Sequence, residues 1–355
     1  MRIFNIGQLL TMRDGLGLIE NAWLEFNNGR ITALGPMSQV PAIEDEDIDA
    51  HGNVVLPGYV DGHTHLAHAG GIHDTFQGRC QRVEKISDQD LAANIEQQLK
   101  AMLRLGTTTV EIKTGYATTT QAIHKSLAAI PTRRGIVRTE MSPLANASAP
   151  HWTLAHQPTF IDALCDPDGL SVEQLREPLK AMRTLQAKIK LHTGVTARNE
   201  GVALALELEA TSVDHLLHIN QRDIDLLGRS STVAVLLPAM PYYTKVDHFA
   251  PAQALLAAGA TIALATDANP GDSPTLSMPF VIHLAVREMH LTPEQALQAA
   301  TIHAARAIDQ HHRVGSLEVG KDADIQILAT NDYRDIPAVM GTNLIEQVIH
   351  LVFSQ

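Results

Sequence analysis

From Val54 to about residue 312, short apolar runs alternate with longer segments of helical periodicity. Strands that alternate with helices of this length build βα units around a parallel sheet. Strand-like runs occupy residues 107–113, 188–192, 213–219, 232–237 and 262–265. Helical patterns fit residues 199–210, 251–258, 275–289 and 293–308. Ser87-Asp88-Gln89-Asp90 predicts the start of a further helix, which runs to about Leu105 and stops at Gly106. Ser171 starts another, in which Pro178 removes a backbone hydrogen bond and predicts a kink or an early break. The alternating region covers ~260 residues, close to the ~250 typical of an eight-stranded βα barrel. A doubly wound sheet is the alternative. Its dinucleotide-binding form needs a GxGxxG turn after an early strand, and the chain has none.

Both ends are β-like. The runs 23–26 and 30–34 flank Asn27-Asn28-Gly29, a hairpin signal. Glu44-Asp45-Glu46-Asp47 reads as a solvated loop. Beyond Arg313, a turn-rich stretch over 315–324 leads into a strand at 325–328, and residues 346–353 read as the last strand. The ends are expected to pair into a small sheet. The domains are then 1–53 with 314–355, beside a barrel over 54–313.

Composition excludes several classes of function. Acids outnumber bases 39 to 27, giving a formal charge of −12, which repels a phosphate backbone and argues against nucleic acid as partner. No apolar run reaches the length of a membrane span, and residues 1–15 do not read as a secretory signal. The two cysteines, Cys80 and Cys165, form neither a CxxC pair nor a disulfide framework, so a reduced cytoplasmic protein is expected.

The chain holds 18 histidines, and at that density chance alone predicts roughly one HxH pair. Position separates His63-Thr64-His65 from chance. The two imidazoles share a face of an extended segment, where an early strand ends. Active sites of βα barrels lie at the C-terminal ends of the strands. His192 and Asp267 end two later strand-like runs, and His215 lies on a third. Imidazoles with one carboxylate suit zinc, and also iron or manganese. For any one of these residues the competing reading is a hydrogen-bonded core histidine or a structural Asp.

Leu56-Pro57-Gly58-Tyr59-Val60-Asp61-Gly62-His63-Thr64-His65 resembles the first-strand motif of the amidohydrolase superfamily, and within it the imidazolonepropionases of histidine degradation. Glu111-Ile112-Lys113-Thr114-Gly115-Tyr116, the stretch 265–275 around Asp267 and the stretch 315–324 are similar to that family as well. The resemblance implies a TIM-like (β/α)8 barrel with a small β-sandwich formed by both termini, and a homodimer. It implies one divalent metal, zinc first and iron second, held by His63, His65, His192 and Asp267. The substrate is then a small cyclic amide opened by hydroxide attack on its ring carbonyl. His215 polarises that carbonyl, and Asp267 moves the proton to the leaving nitrogen. Tyr116, Asn269 and Gly271 face the substrate.

The departures from the family pattern concentrate on the substrate side. Ile72 stands where the family has an Arg that holds the substrate carboxylate. Val195 replaces the acid after the third histidine, and Ala147 replaces a substrate-binding His. The segment between Phe76 and Asp90 is shorter and lacks a glycine-rich stretch. Arg79, Arg82 and Lys245 are the cations available to replace the lost Arg, each set against a reading as solvated surface charge. Glu200 is the substitute acid to weigh, although it falls at the next helix. Lys113 is either a structural ion-pair partner or a carboxylated bridge between two metals. His68 and His73 follow HxH closely enough to reach a ligand. His283, His290, His303, His311 and His312 lie away from the barrel mouth. Two other functions compete with the cyclic-amide hydrolase: an amino-heterocycle deaminase, which Val195 disfavours, and a binding protein that keeps its metal but has lost catalysis.

Overall fold

The structure is a computed structural model that describes residues 1–141, 157–167, 169–183 and 187–350. The N-terminal strands are β1 (Arg2–Leu10), β2 (Leu18–Asn27), β3 (Arg30–Pro36), β4 (Ile48–Asp49) and β5 (Val54–Pro57). The barrel strands follow as β6 (Tyr59–Asp61), β7 (Thr107–Lys113), β8 (Ile136–Met141), β9 (Phe160–Cys165), β10 (Lys188–Thr193), β11 (Ser212–His215), β12 (Val233–Leu236) and β13 (Ile262–Leu264). The chain then returns through β14 (Ile325–Leu328) and β15 (Ile345–Ile349).

Strands β6 to β13 form one parallel sheet in which neighbours in sequence are neighbours in space. The ring is drawn shut beyond the ends of β6 and β13. Thr64 bridges Ala268, the His63 carbonyl accepts from Asp267 N at 3.0 Å, and His65 N donates to Ala268 O at 2.9 Å. Below that, the Asp61 carboxylate crosses the seam, accepting from Thr266 N at 3.1 Å and Thr266 Oγ1 at 2.5 Å. Burial pushes this carboxyl up to about 7.

The other sheet joins the two ends of the chain in the order β15-β14-β5-β1-β2-β3, with β4 beside β1. Asn28 (φ +46°) and Gly29 (φ +65°) occupy the centre of the β2–β3 hairpin, the left-handed pair that a two-residue turn of this hand requires. Ile3, Ile6, Leu24, Val55 and Ile325 pack its core. The chain passes from this sheet to the barrel at Gly58, where a Cβ would lie 2.2 Å from Thr108 Oγ1, so only glycine fits.

Helices cover the barrel as the alternation predicts. Ser87 Oγ accepts from Asp90 N at 3.0 Å and caps the helix Asp88–Arg104. The helix Val172–Arg183 runs unbroken through Pro178, contrary to the expected break. Its buried stripe of Leu175, Leu179 and Met182 holds it to the barrel, so packing outweighs one lost hydrogen bond. The helical pattern at 293–308 is two helices, Pro293–Ala299 and Ile302–Ala307, parted at Thr301, whose hydroxyl folds back on Leu297 O at 2.6 Å. Inside the barrel, Val60, Phe160, Val233, Val235 and Ala263 form an apolar plug toward the N-terminal ends of the strands. No helix among the described residues is long and apolar enough to cross a membrane.

Candidate metal centre at the C-terminal end of the barrel

Strand ends bring five side chains to one point above that plug. His63 and His65 follow β6, His192 is the penultimate residue of β10, His215 ends β11, and Asp267 lies just beyond β13. The ligand atoms of His63, His192 and His215 lie within 4.8 Å of one another, as do those of His63, His65 and Asp267. Asp267 Oδ1 is 3.6 Å from His63 Nε2 and 3.4 Å from His65 Nε2. The His63 and His192 rings are 4.4 Å apart. Nε2 of His63, Nε2 of His192 and Nδ1 of His215 are buried with no hydrogen-bond partner among the described residues. Buried polar atoms are rarely left unpaired. Three orphaned imidazole nitrogens beside one carboxylate fit a divalent ion of the zinc or iron type.

The backbone is bent to achieve this. His215 (φ +80°), Leu216 (φ +62°) and Asp267 (φ +54°) all lie in the left-handed region. Such positions cost non-glycine residues ~1–3 kcal/mol each. They also end the expected 213–219 strand at His215. Burial holds His63 well below the usual imidazole range and brings His215 down to about 3, so both rings are neutral and able to bind a cation.

Directly beneath lies a layer of five charged side chains with no solvent exposure: Glu111, Lys113, Asp162, Lys190 and Asp214. They alternate with their neighbours at the period of the strand, so Lys190 sits below His192 and Asp162 sits above Phe160. His63 Nδ1 is 2.7 Å from Asp214 Oδ2, and His192 Nδ1 is 2.9 Å from Asp162 Oδ1. The other oxygen of Asp162 accepts from Lys113 Nζ. Ser212 Oγ donates to Asp214 Oδ1 at 2.7 Å, and both lysines stand 3.7 Å from Asp214 Oδ2. Glu111 joins the two lysines, with Lys190 Nζ at 2.7 Å and Lys113 Nζ at 3.1 Å. Lys190 also donates to Gly62 O at 2.7 Å. Burial opposes the charge of Lys113, but Asp162, Glu111 and Asp214 outweigh it and raise its pKa. Lys113 is thus bound into this network. The sequence signal for the layer is a charge inside each short apolar strand, one or two positions from a histidine in β10 and β11.

The rim is built differently. Tyr116 Oη lies 3.4 Å from Asn269 Oδ1. That oxygen accepts from Gly271 N and Asp272 N, both at 2.8 Å, while Asn269 Nδ2 donates to Asp267 O at 2.7 Å. The turn is therefore tied to Asp267. Arg79 is 6% exposed. Its Nε donates to Gly71 O at 3.3 Å, and its Nη2 donates to Ile72 O at 3.4 Å and Pro270 O at 3.2 Å. The guanidinium carbon is 6.0 Å from the Tyr116 ring centre, and a Cβ on Gly271 would lie 2.8 Å from Nη1. Arg79 has no ion-pair partner among the described residues.

The remaining sequence candidates fall outside this group. Lys245 is exposed and ends the helix Ala239–Thr244 at φ +60°. Arg82 pairs with Asp74 at 3.1 Å, and Glu200 pairs with Arg198 and Arg222. Ile72 is half exposed. Val195 N donates to Asp166 at 2.8 Å, so the loop after His192 is held by its backbone. His68 stands behind Tyr116, bonded to Gln98 at 3.2 Å, and His73 is exposed. Ala147 lies outside the described residues.

Comparison with known proteins agrees with this geometry. A family model described as the amidohydrolase family matches residues 54–219 and 180–353. The chain is 35% identical to an imidazolonepropionase of Herpetosiphon aurantiacus, over 98% of this chain and 95% of that protein. It is 34% identical to an imidazolonepropionase of Chloroflexus aggregans, over 95% and 91%. Among solved structures it is similar in fold to a zinc-bound adenosine deaminase of Xanthomonas campestris, with TM-score 0.76 and 19% identity over 98% of this chain and 91% of that one. A 5-methylcytosine deaminase of Klebsiella pneumoniae aligns with TM-score 0.79 and 16% identity over 99% and 96%.

Proposed function

The chain belongs to the amidohydrolase family as a metal-dependent hydrolase that opens a cyclic amide by C–N cleavage, and from that premise we propose that its substrate carries a carboxylate arm, as 4-imidazolone-5-propionate does. The observation that carries the substrate is Arg79: a buried guanidinium with no acid partner among the described residues, beside the turn that is tied to Asp267. Its Nη2 bonds the carbonyl of Ile72, the residue at the family's Arg position. In this reading Arg79 supplies from the helix Phe76–Lys85 the charge that position 72 lacks.

His63, His65, His192 and Asp267 would hold the ion, and we take it to be zinc, with iron as the alternative. Such an ion supplies a Lewis acid that brings the pKa of water from 15.7 toward ~7. Asp267 is the proton carrier. Burial pushes its carboxyl up, but the hydrogen bond with His65 and the charges of His215, His65 and His192 together outweigh burial and keep it below the ordinary carboxylate range, so it begins as a base. The proton it takes goes to the ring nitrogen that leaves. His215, neutral, donates a hydrogen bond where charge builds on the carbonyl oxygen. Burial raises the Tyr116 hydroxyl, which stays protonated and serves as a donor to the ring. Asn269 and Gly271 keep the turn close against the substrate, and Arg79 pairs with the carboxylate arm.

A deaminase reading requires an acid beside the third histidine. Val195 supplies none, and Glu200 is spent on two arginines. The unpaired buried cysteines, Cys80 and Cys165, support a reducing cytoplasmic setting, where such ring opening serves histidine degradation.

The test is ring opening of freshly prepared 4-imidazolone-5-propionate by zinc-loaded protein, with a chelated control and the variant Arg79→Met. Chelator-sensitive turnover that falls mainly through KM in the variant supports the reading. Equal turnover of an analogue lacking the carboxylate, or no effect of Arg79→Met, overturns the substrate assignment.

A further inference from the structure

The charged layer beneath the centre has a function that neither the fold nor the reaction requires. Buried ion pairs are poor stabilisers, and apolar residues of similar volume usually serve a core as well or better. The plug one layer lower is made of such residues. Above it, the same barrel carries two lysines and three acids, all fully buried. Each acid has a separate task for each of its oxygens. Asp162 gives one oxygen to His192 Nδ1 and the other to Lys113 Nζ. Asp214 gives one oxygen to His63 Nδ1 and the other to Ser212 Oγ. Glu111 holds the two lysines in place and is itself bonded by Thr139 Oγ1. The two imidazoles that rest on this layer are also those whose Nε2 atoms have no partner.

We propose that Asp162 and Asp214 are positioning residues that lock His192 and His63 as Nδ1–H tautomers with Nε2 free for the ion, and that Lys113, Lys190 and Glu111 act on the ion only through them. An imidazole donates one nitrogen and accepts at the other, so the partner at Nδ1 decides which nitrogen can bind a metal. His65 has no such support among the described residues. Gly115 packs against its Nδ1 side, where a Cβ would come within 2.3 Å. The locking therefore applies to two of the three histidines that would hold the ion.

Asp162→Asn is the sharpest probe. Lys113 needs an oxygen, so the amide oxygen faces Lys113 and the NH2 group faces His192 Nδ1. A donor there reverses the tautomer and puts hydrogen on Nε2, where the ion belongs. A second probe separates positioning from plain electrostatics. Lys113→Met removes a positive charge near the ion, so simple attraction predicts tighter binding, whereas loss of positioning predicts weaker binding.

The inference rests on the metal-centre reading, so its first readout uses no metal. The full-length protein, stripped by chelator and labelled with 15N-histidine, should show the His63 and His192 rings in the Nδ1–H form, assigned apart from His283 and His303, whose Nδ1 atoms face carbonyl oxygens. In Asp162→Asn one of them should change to Nε2–H. Zinc affinity by chelator competition should fall ~10–100-fold in that variant and should also fall in Lys113→Met. Wild-type rings found as Nε2–H overturn the proposal even if neither variant folds. So does an Asp162→Asn protein with unchanged tautomer and zinc affinity within about twofold of wild type, or tighter zinc in Lys113→Met. If wild-type protein binds no zinc at all, the metal reading fails while the tautomer result stands by itself.

Discussion

The floor and the rim of the site follow opposite building rules. On the floor, His63 and His192 rest on carboxylates, the carboxylates are held by lysines or a serine, and all five members of the charged layer are sealed from water. On the rim, Ile72 and Phe76 are 51% and 60% exposed, and Arg79 is hydrogen-bonded to backbone carbonyl oxygens. Every sequence departure from the family that the structure describes is on the rim side. A floor fixed by mutual contacts has little freedom to vary. A rim fixed by a few backbone contacts can exchange a residue without disturbing the ion, and reaction and substrate are thereby separated within one pocket.

The strongest test of that separation is removal of a floor residue. His63→Ala, or chelation of the wild type, should lower turnover by roughly 10³-fold or more, because water returns toward its unassisted pKa. Metal content and kcat, measured together, check this. Residual turnover with no bound ion would break the comparison. Arg79→Met should act on the rim alone. Loss of a charge-assisted pair predicts a ~10–100-fold fall in kcat/KM for a carboxylate substrate, mostly in KM, with zinc affinity unchanged. A fall in zinc affinity would show that rim and floor are coupled.

Glu140 sharpens the comparison from the barrel wall. Its side chain is buried on β8 with no hydrogen bond or ion pair among the described residues, and burial raises it to about 7. Its folded value lies above the ordinary carboxylate value, so the folded protein keeps a proton that the unfolded chain has released. That contribution is complete below about pH 4.5 and is lost as pH rises toward 7. Relative to wild type, Glu140→Gln should therefore gain on the order of 2 kcal/mol between pH 5 and 8, read by denaturant unfolding. No gain would mean that an unpaired buried acid costs as little as the paired ones. The smallest effect is expected at Lys245, exposed and unpaired among the described residues. Lys245→Met should leave kcat/KM within about twofold, as for a surface charge.

The parts of this molecule that could be read from sequence share a physical cause. The run at 107–113 is strand from end to end because threonines and a valine favour extended backbone, and the barrel buries both faces. The hairpin at Asn28-Gly29 was legible because few residues tolerate two left-handed positions in succession. His63, His65, His192, His215 and Asp267 were legible as a set only through family likeness joined to strand ends. The charged layer escaped because a single Asp or Lys in a short strand has many meanings until its neighbours are known. Asp162 and Lys113 are 49 residues apart and meet only in the closed barrel. Pro178 misled because local propensity counts one lost hydrogen bond and cannot see the buried leucines beside it. The strand expected at 213–219 was too long because nothing local in Leu216-Leu217 signals the left-handed turn that aims His215.

The seam has a consequence for assembly. Asp61 and Thr266 are 205 positions apart, and the bonds between His63 and Asp267 and between His65 and Ala268 span a similar length of chain. During synthesis from the N-terminus, the first half of the site emerges long before the second, and a contact of such sequence separation forms late. The ion's ligands lie on both sides of that joint. An incomplete chain carries its histidines but lacks the carboxylate opposite them. Tight metal uptake therefore serves as a completion signal: it reports that the last strand has met the first.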